Sequence, residues 1–419
     1  MTTPPATRIT VCTGGLGSEW HLPSSTVDRR PYIGGGERSL YELAFALAAE
    51  GHLVELRGNI SEPVLGELAS VLGPGPVVSL ADRRPQPDEI VVHVEGARQP
   101  IQFGALALSP ARTVIALFAP PGLFGWSFTN AAAAPDPTAV SPADVGRPEH
   151  YQAMAALGFT LWSNSAHTAG AAAAAGVDCA FIGSGNPVPP PDDTVRDHDI
   201  VVVGGNRWAD AAGAVADAIG ATCLITVPGS NADLLRQLGR GRVLVHPMRV
   251  EGTSRLGHEA RRMGTILAAL TTNPYLAGAS RDEGAILAPD ADRLAAAVRT
   301  ALDDPAELQR LSDGGRQFAE RWNDWPAYRS RVAAAVATVA APPAHKGAMA
   351  AIGAEIEEKM LGLTTQRDLA IAAGDAANAE LDAIRGTRTW MLRDRVLLPA
   401  HTALGRLRMR GDRSTRRTR

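Results

Sequence analysis

The sequence predicts an α/β protein of two doubly wound, Rossmann-like domains followed by a helical, basic tail. Three observations carry this. Strand-like apolar runs alternate with helix-like ones along most of the chain; a Pro- and Asp-rich break interrupts the alternation once; and the composition changes after the segment AAPPAHKG. With 419 residues, 45% hydrophobic and 20% charged, there is material for two ordinary cores, which excludes a small or wholly disordered protein.

The first domain is expected over 1–184. Its strand candidates are RITVC, LVELRG, EIVVHVE, TVIALFA and FTLW, and ERSLYELAFALAAEGH is its clearest helix. In that helix Leu40, Leu43, Ala44 and Leu47 share one face, and Gly51 supplies the stop. The break GSGNPVPPPDDTVRDHD carries no periodicity and reads as the interdomain linker. The second domain, expected over 185–340, repeats the alternation with DIVVVGG, ATCLITVPG, RVLVHP, TILAAL and GAILAP, and closes on DRLAAAVRTALDD and PAELQRLSDGGRQFAERW. Over 341–419 the chain first becomes Ala- and Glu-rich, with Ile352, Ile356, Leu363, Leu381 and Ile384 at loosely helical spacing, as in a long helix or coiled coil. It then mixes Trp390, Leu392, Val396, Leu397, Leu404 and Leu407 with arginines, the pattern of a basic amphipathic surface helix.

Charge is distributed unevenly. The net charge is −3, yet eleven arginines against two aspartates give +9 from Ile384 to Arg419, so the remainder carries −12. An acidic body repels a phosphate backbone, which argues against nucleic acid as a partner, whereas the tail suits an anionic membrane surface. Cys12, Cys179 and Cys223 lie far apart, so neither a disulfide framework nor a Cys-rich metal site is indicated. The N-terminus lacks a basic segment followed by an apolar one, and no apolar run approaches a membrane span, so a cytoplasmic location is expected.

Two loops stand out as candidate sites. In YIGGGERSL, Gly34, Gly35 and Gly36 immediately precede a helix, where bare backbone N–H groups can meet an anion or a sugar. In EGTSRLGHEARRMGT, Glu251 follows a buried strand, and Gly252, Thr253 and Ser254 form a turn that opens a helix. The turn's hydroxyls can cap that helix, and its N–H groups, expected to face outward, suit a pyrophosphate. Glu259, more than one turn further on, is placed to accept hydrogen bonds from a ribose. A random pair of helix acids beside Arg255, Arg261 and Arg262 is more simply a solvated face. CTGGLGSEW does not complete a dinucleotide fingerprint, and no Walker A sequence, His-x-x-x-His pair or Cys cluster occurs. His93 reads as strand packing, and His246 and His258 flank the second loop.

EGTSRLGHEARRMGT resembles the Glu-x7-Glu signature of family-four GT-B glycosyltransferases. YIGGGERSLYELAFALAAEGHLVEL is similar to that family's first glycine loop and helix. DEIVVHVEG, LGFTLWSNSAHTAGAAAAAGV and LAAAVRTALDDPAELQRLSDGGRQFAERWNDW are similar to later segments of it, so the likeness runs from about Arg8 to Val336. The resemblance implies retaining transfer from a nucleoside diphosphate sugar, with no other cofactor and no bound metal. It gives Glu251 to the donor sugar and Glu259 to the ribose. Gly252, Thr253, Ser254 and Arg255 go to the diphosphate, while Gly35 and Gly36 line the cleft. The family's basic pair after the first strand of the second domain is represented here by Arg207 alone, the segment from that strand to Glu251 is short, and TVIALFA continues into PPGLFGW where a His is usual.

The implied acceptor is a cell-surface glycan or a lipid-linked sugar, with the tail either forming a homodimer or docking the enzyme on the inner membrane face. A non-catalytic module that binds glycans or a partner enzyme, and a soluble natural-product glycosyltransferase, are the competing readings.

Overall fold

The computed structural model describes residues 6–13, 25–80, 83, 85–94, 109–121, 141, 143, 145–191, 194–204 and 209–339. Arg207 and the expected tail over 341–419 lie outside them.

Two parallel sheets form the frame. The first holds β1 (Arg8–Thr13), β2 (Thr26–Asp28), β3 (Leu53–Ser61), β4 (Val77–Val78), β5 (Ile90–Val94), β6 (Arg112–Leu117), β7 (Thr160–Ser163) and β8 (Cys179–Phe181). Its order is β2-β3-β1-β5-β6-β7-β8, with β4 also pairing β3. The second holds β9 (His198–Val203), β10 (Cys223–Thr226), β11 (Gly241–His246), β12 (Ile266–Leu270) and β13 (Ala285–Ala288), in the order β10-β9-β11-β12-β13. Central strands such as IVVHV and ILAAL are apolar on both faces because helices cover both faces. The short edge strands β2, β4 and β8, of three, two and three residues, carry too little pattern to be read from sequence.

In the first domain, α1 (Gly35–Ala49) and α2 (Glu62–Leu72) bury Leu40, Leu43, Leu47, Val64 and Leu68 on one face of the sheet. On the other, α3 (Pro148–Ala156) and α4 (Ala166–Ala174) pack Tyr151, Met154 and Ala172 against Ile115 and Leu161. In the second domain α5 (Ala209–Ile219) and α8 (Ala291–Leu302) cover one face, while α6 (Asn231–Arg240) and α7 (Arg255–Arg262) cover the other. Side-chain caps fix the entries: Ser230, Asp290 and Asp304 accept from backbone N–H groups at the starts of α6, α8 and α9 (Pro305–Trp322).

The last helix among the described residues, α10 (Trp325–Ala337), follows the second sheet in sequence but belongs to the first core. Tyr328, Val332 and Ala335 are buried with Leu40 and Leu43, Arg329 Nε donates to Glu50 at 2.8 Å, and Arg331 Nε donates to the carbonyl of Ile182 at 2.9 Å. The second domain is thus inserted between two parts of the first. The three cysteines sit in β1, β8 and β10 without disulfides, and burial pushes the Cys179 thiol up to about 12.

One face of the first sheet carries a buried charge cluster. Glu55 accepts from Arg57 Nη2 at 2.7 Å and Arg83 Nε at 3.0 Å, and Arg83 Nη1 also donates to the fully buried Glu89 at 2.8 Å. Burial alone would raise the Glu55 carboxyl, but hydrogen bonds from the two guanidiniums outweigh it and hold the group at about 2. A depressed carboxylate stabilises the fold above its unfolded value and loses that contribution as pH falls through the folded one. Glu55→Gln is therefore expected to remove about 2 to 3 kcal/mol at neutral pH and to flatten the decline in stability between about pH 4.5 and 2. Urea titrations across that range check it; an unchanged acid slope would refute the assignment.

Candidate functional site

In each sheet the strand order reverses beside the first strand: between β1 and β5 in one, between β9 and β11 in the other. Loops at the carboxyl ends of such strands border a crevice where ligands of doubly wound folds bind. The chain leaving β11 there is PMRVEGTS, which leads into α7.

Glu251 does not simply extend beyond the strand. It folds back so that its Oε2 lies 2.5 Å from Nε2 of His246, the last residue of β11. Its backbone N–H donates to Asn273 Oδ1, 3.4 Å away after β12. His246 is 1% exposed and the Glu251 side chain 20%, so the pair is shielded mainly on the His246 side.

The turn after it is buried, contrary to the outward-facing N–H groups expected from sequence. Thr253 and Ser254 are each 2% exposed, and a Cβ on Gly252 would collide with the carbonyl oxygen of Phe118, at the end of β6 in the first domain. Glycine is required there by close approach of two backbones rather than by conformation. Ser254 holds φ at 53°, the one non-glycine residue in the left-handed region among the described residues. It is kept there by its buried setting and by its hydroxyl, which accepts from Gly257 N at 3.2 Å and caps α7.

Arg255 joins the domains. Its Nη1 and Nη2 each lie 2.7 Å from an oxygen of Glu42 on α1, a bidentate pair, and its Nε donates to Glu259 Oε1 at 2.9 Å. Arg38 extends the chain of charges, touching Glu42 at 3.5 Å and Glu67 at 2.7 Å. Burial alone would lower the Arg255 pKa, but the carboxylates of Glu42 and Glu259 more than reverse it, so the guanidinium stays charged. Gly35 lies against the stem of this arginine, where an added Cβ would sit 3.1 Å from Cδ. Gly36, by contrast, is exposed with open space beside its Cα. Tyr32, just before the glycines, packs on the second domain's core, and its hydroxyl is pushed up by burial and by the charge of Glu259.

Arg261 cannot serve a ligand. It is fully buried, lies 4.1 Å over the Phe318 ring, and donates to the carbonyls of Gly257, Ala277 and Gly278 at 2.8 to 3.1 Å; burial lowers it to about 9. His258 is buried in a three-ring cluster with Phe318 and Trp322, at centroid distances of 5.4 and 5.2 Å, and burial first, then Arg261, keeps its ring neutral. Sequence reading missed Glu42, Tyr32, Asn273 and Phe118. Glu42 alone had a signal, as the one acid inside the apolar run SLYELAFAL.

No protein-family model matches the sequence, and no curated protein matches it. Solved structures do. HepE from Anabaena, determined with UDP-glucose, aligns with a TM-score of 0.54 at 12% identity over 79% of this chain and 99% of that one. The chain has the GT-B fold. Sucrose-phosphate synthase from Thermosynechococcus elongatus aligns at 0.52 and 13% identity over 79% of this chain and 98% of its own. A glycosyltransferase from Rickettsia africae aligns at 0.50 and 10% over 80% and 100%. These GT-B likenesses span nearly the full length of each relative, so both domains and the crevice between them are included.

Two outcomes are expected of the interdomain contacts. Glu42→Ala strands Arg255 and Arg38 in a buried setting and should lower stability by roughly 3–5 kcal/mol, while the double variant with Arg255→Ala should lose less than the sum of the single losses. Gly252→Ala must push Phe118 away and should cost about 1–3 kcal/mol. Urea denaturation of the three single variants and the double measures these losses, and an additive double variant would show that the ion pair contributes nothing.

Proposed function

We propose that the protein is a glycosyltransferase that transfers a sugar, with retention, from a nucleoside diphosphate sugar to a cell-surface glycan or lipid-linked acceptor. The observation that carries this reading is the position of the Glu251-to-Glu259 segment at the switch point of the second sheet, facing the glycine loop of the first. The likeness to HepE, determined with UDP-glucose, supports the donor class.

In this reading Glu251 grips the donor sugar through its carboxylate, and Glu259 takes the ribose. The start of α7, with Gly252, Thr253, Ser254 and Arg255, meets the diphosphate; Gly35 and Gly36 line the crevice, and Arg207 adds a cation. As the bond to the sugar breaks, negative charge grows on the diphosphate. In this reading the helix dipole and the guanidinium of Arg255 would stabilise it, and no metal ion is called on. Donor binding is then an exchange: ribose hydroxyls replace the Arg255 Nε at Glu259, and Arg255 turns toward the diphosphate. One observation favours a second reading, a non-catalytic binding module: both acids are already partnered within the protein and the turn is covered by the first domain.

A thermal-shift series with UDP and a panel of nucleotide sugars separates the two. Transfer predicts a rise of about 4 °C at a hundredfold excess over Kd, and Glu259→Gln should keep the fold while losing transfer and most of the shift. Absence of any shift with every nucleoside diphosphate and nucleotide sugar would sink the enzyme reading. Among the described residues no helix is long and apolar enough to cross a membrane, so an encounter with a lipid-linked acceptor is assigned to the tail. The full chain should float with anionic liposomes and a chain ending at Gly386 should not; equal behaviour would favour a soluble acceptor.

A further inference from the structure

The second domain carries a cavity of about 530 Å³ at the end opposite Glu251. It opens beside the amino ends of β9 and β12, between the segment entering the domain and the carboxyl ends of α7 and α9. The lining residues that define its chemistry are Thr194, Arg196, Arg262, Arg316, Glu320 and Asn323.

Among the described lining residues are three arginines and one acid, Glu320, which is exposed. Arg196 and Arg316 are crowded together, since a Cβ placed on Gly264 would collide with Nη2 of both. Arg196 donates to the carbonyl of Met263 at 2.9 Å and reaches Ser312 Oγ at 3.4 Å, both uncharged, and no carboxylate pairs with it among the described residues. Arg316 has Asp313 at 3.0 Å, itself half exposed. Arg242, whose charge also acts on Arg196, is held by Asp199 at 3.3 Å. The guanidinium of Arg196 is made less basic first by burial and then by the charges of Arg316 and Arg242. The two adjacent cations share one half-exposed carboxylate, Asp313, among the described residues, so an oxyanion placed between them would supply the remaining counter-charge.

The cavity also contains hydrogen-bonding capacity that the protein does not use. Thr194 Oγ1, Arg262 Nη1 and Asn323 Oδ1 are buried without partners. Buried groups of this kind are normally satisfied, so three around one cavity point to a ligand. The hydroxyl of Thr194 can donate to an oxyanion oxygen, and the Asn323 amide oxygen can receive a hydroxyl. We infer that this cavity is a second anion site, built for a phosphate group that is either free or carried on a small hydroxylated molecule. Its volume exceeds that of phosphate alone and falls in the range of small-molecule sites.

Isothermal titration of the full chain with inorganic phosphate and, separately, with a hexose monophosphate tests this, at ionic strength balanced with chloride and with UDP present to occupy the crevice. Saturable binding at one equivalent is expected. It should weaken tenfold or more in Arg196→Gln/Arg316→Gln, while any UDP response stays as in the wild type. Should the double variant fail to fold, because Arg196 braces Met263 and Ser312, Arg316→Gln alone serves: its side chain is 41% exposed. Tighter binding of the ester identifies a carried phosphate, and equal binding identifies the free ion. Absence of saturable binding, or binding unchanged by the variants, overturns the inference. Because UDP is followed separately, failure of this site and failure of the proposed donor site are distinguishable.

Discussion

The ion pair between Glu42 and Arg255 is the constraint on which the rest of the crevice depends. Each partner comes from a different domain, and each is almost out of contact with water, so neither charge is tolerable without the other. Satisfying that pair fixes α1 against α7, and with them the glycine loop against the Ser254 turn. The same contact explains why α1 is buried from Arg38 through Leu47, polar residues included: it is sandwiched by its own sheet, by α10 and by the second domain.

A site arranged this way is in equilibrium between being occupied by itself and being occupied by a ligand. In the proposed reading Arg255 and Glu259 are already paired with each other, and Arg255 with Glu42, so a ligand gains only the difference between its contacts and those it displaces. Affinity in such a crevice is modest by construction. In the proposed reading, a molecule offering both hydroxyls to Glu259 and negative charge to Arg255 replaces what it removes, and one offering a single feature does not.

How much of this was legible in the sequence varied with the range of the interaction. The strands RITVC, EIVVHVE, TILAAL and their neighbours were readable because period and apolarity are local properties, and all of them form. The Ser254 cap was readable for the same reason. The burial of the turn was not, because what covers Gly252 is a carbonyl at Phe118, far away in the chain and without a signature of its own. Arg261 read as part of a solvated helix face, yet it is buried, and its role is set by carbonyls at Ala277 and Gly278 and by the Phe318 ring. Glu42 sat in plain view as an acid among apolar residues, but its partner lies in the other domain, and a single sequence does not pair residues that distant.

The return of α10 to the first core bears on how the chain is made. The first domain needs Tyr328, Val332 and Ala335 before its packing around α1 is complete, whereas every strand and covering helix of the second domain has been synthesised by Trp322. Synthesis therefore inverts the usual order in which the N-terminal domain finishes first. The nested domain is free to close early, and the outer one waits, with the apolar side of α1 uncovered, until the ribosome has delivered nearly all of the chain that the two sheets require.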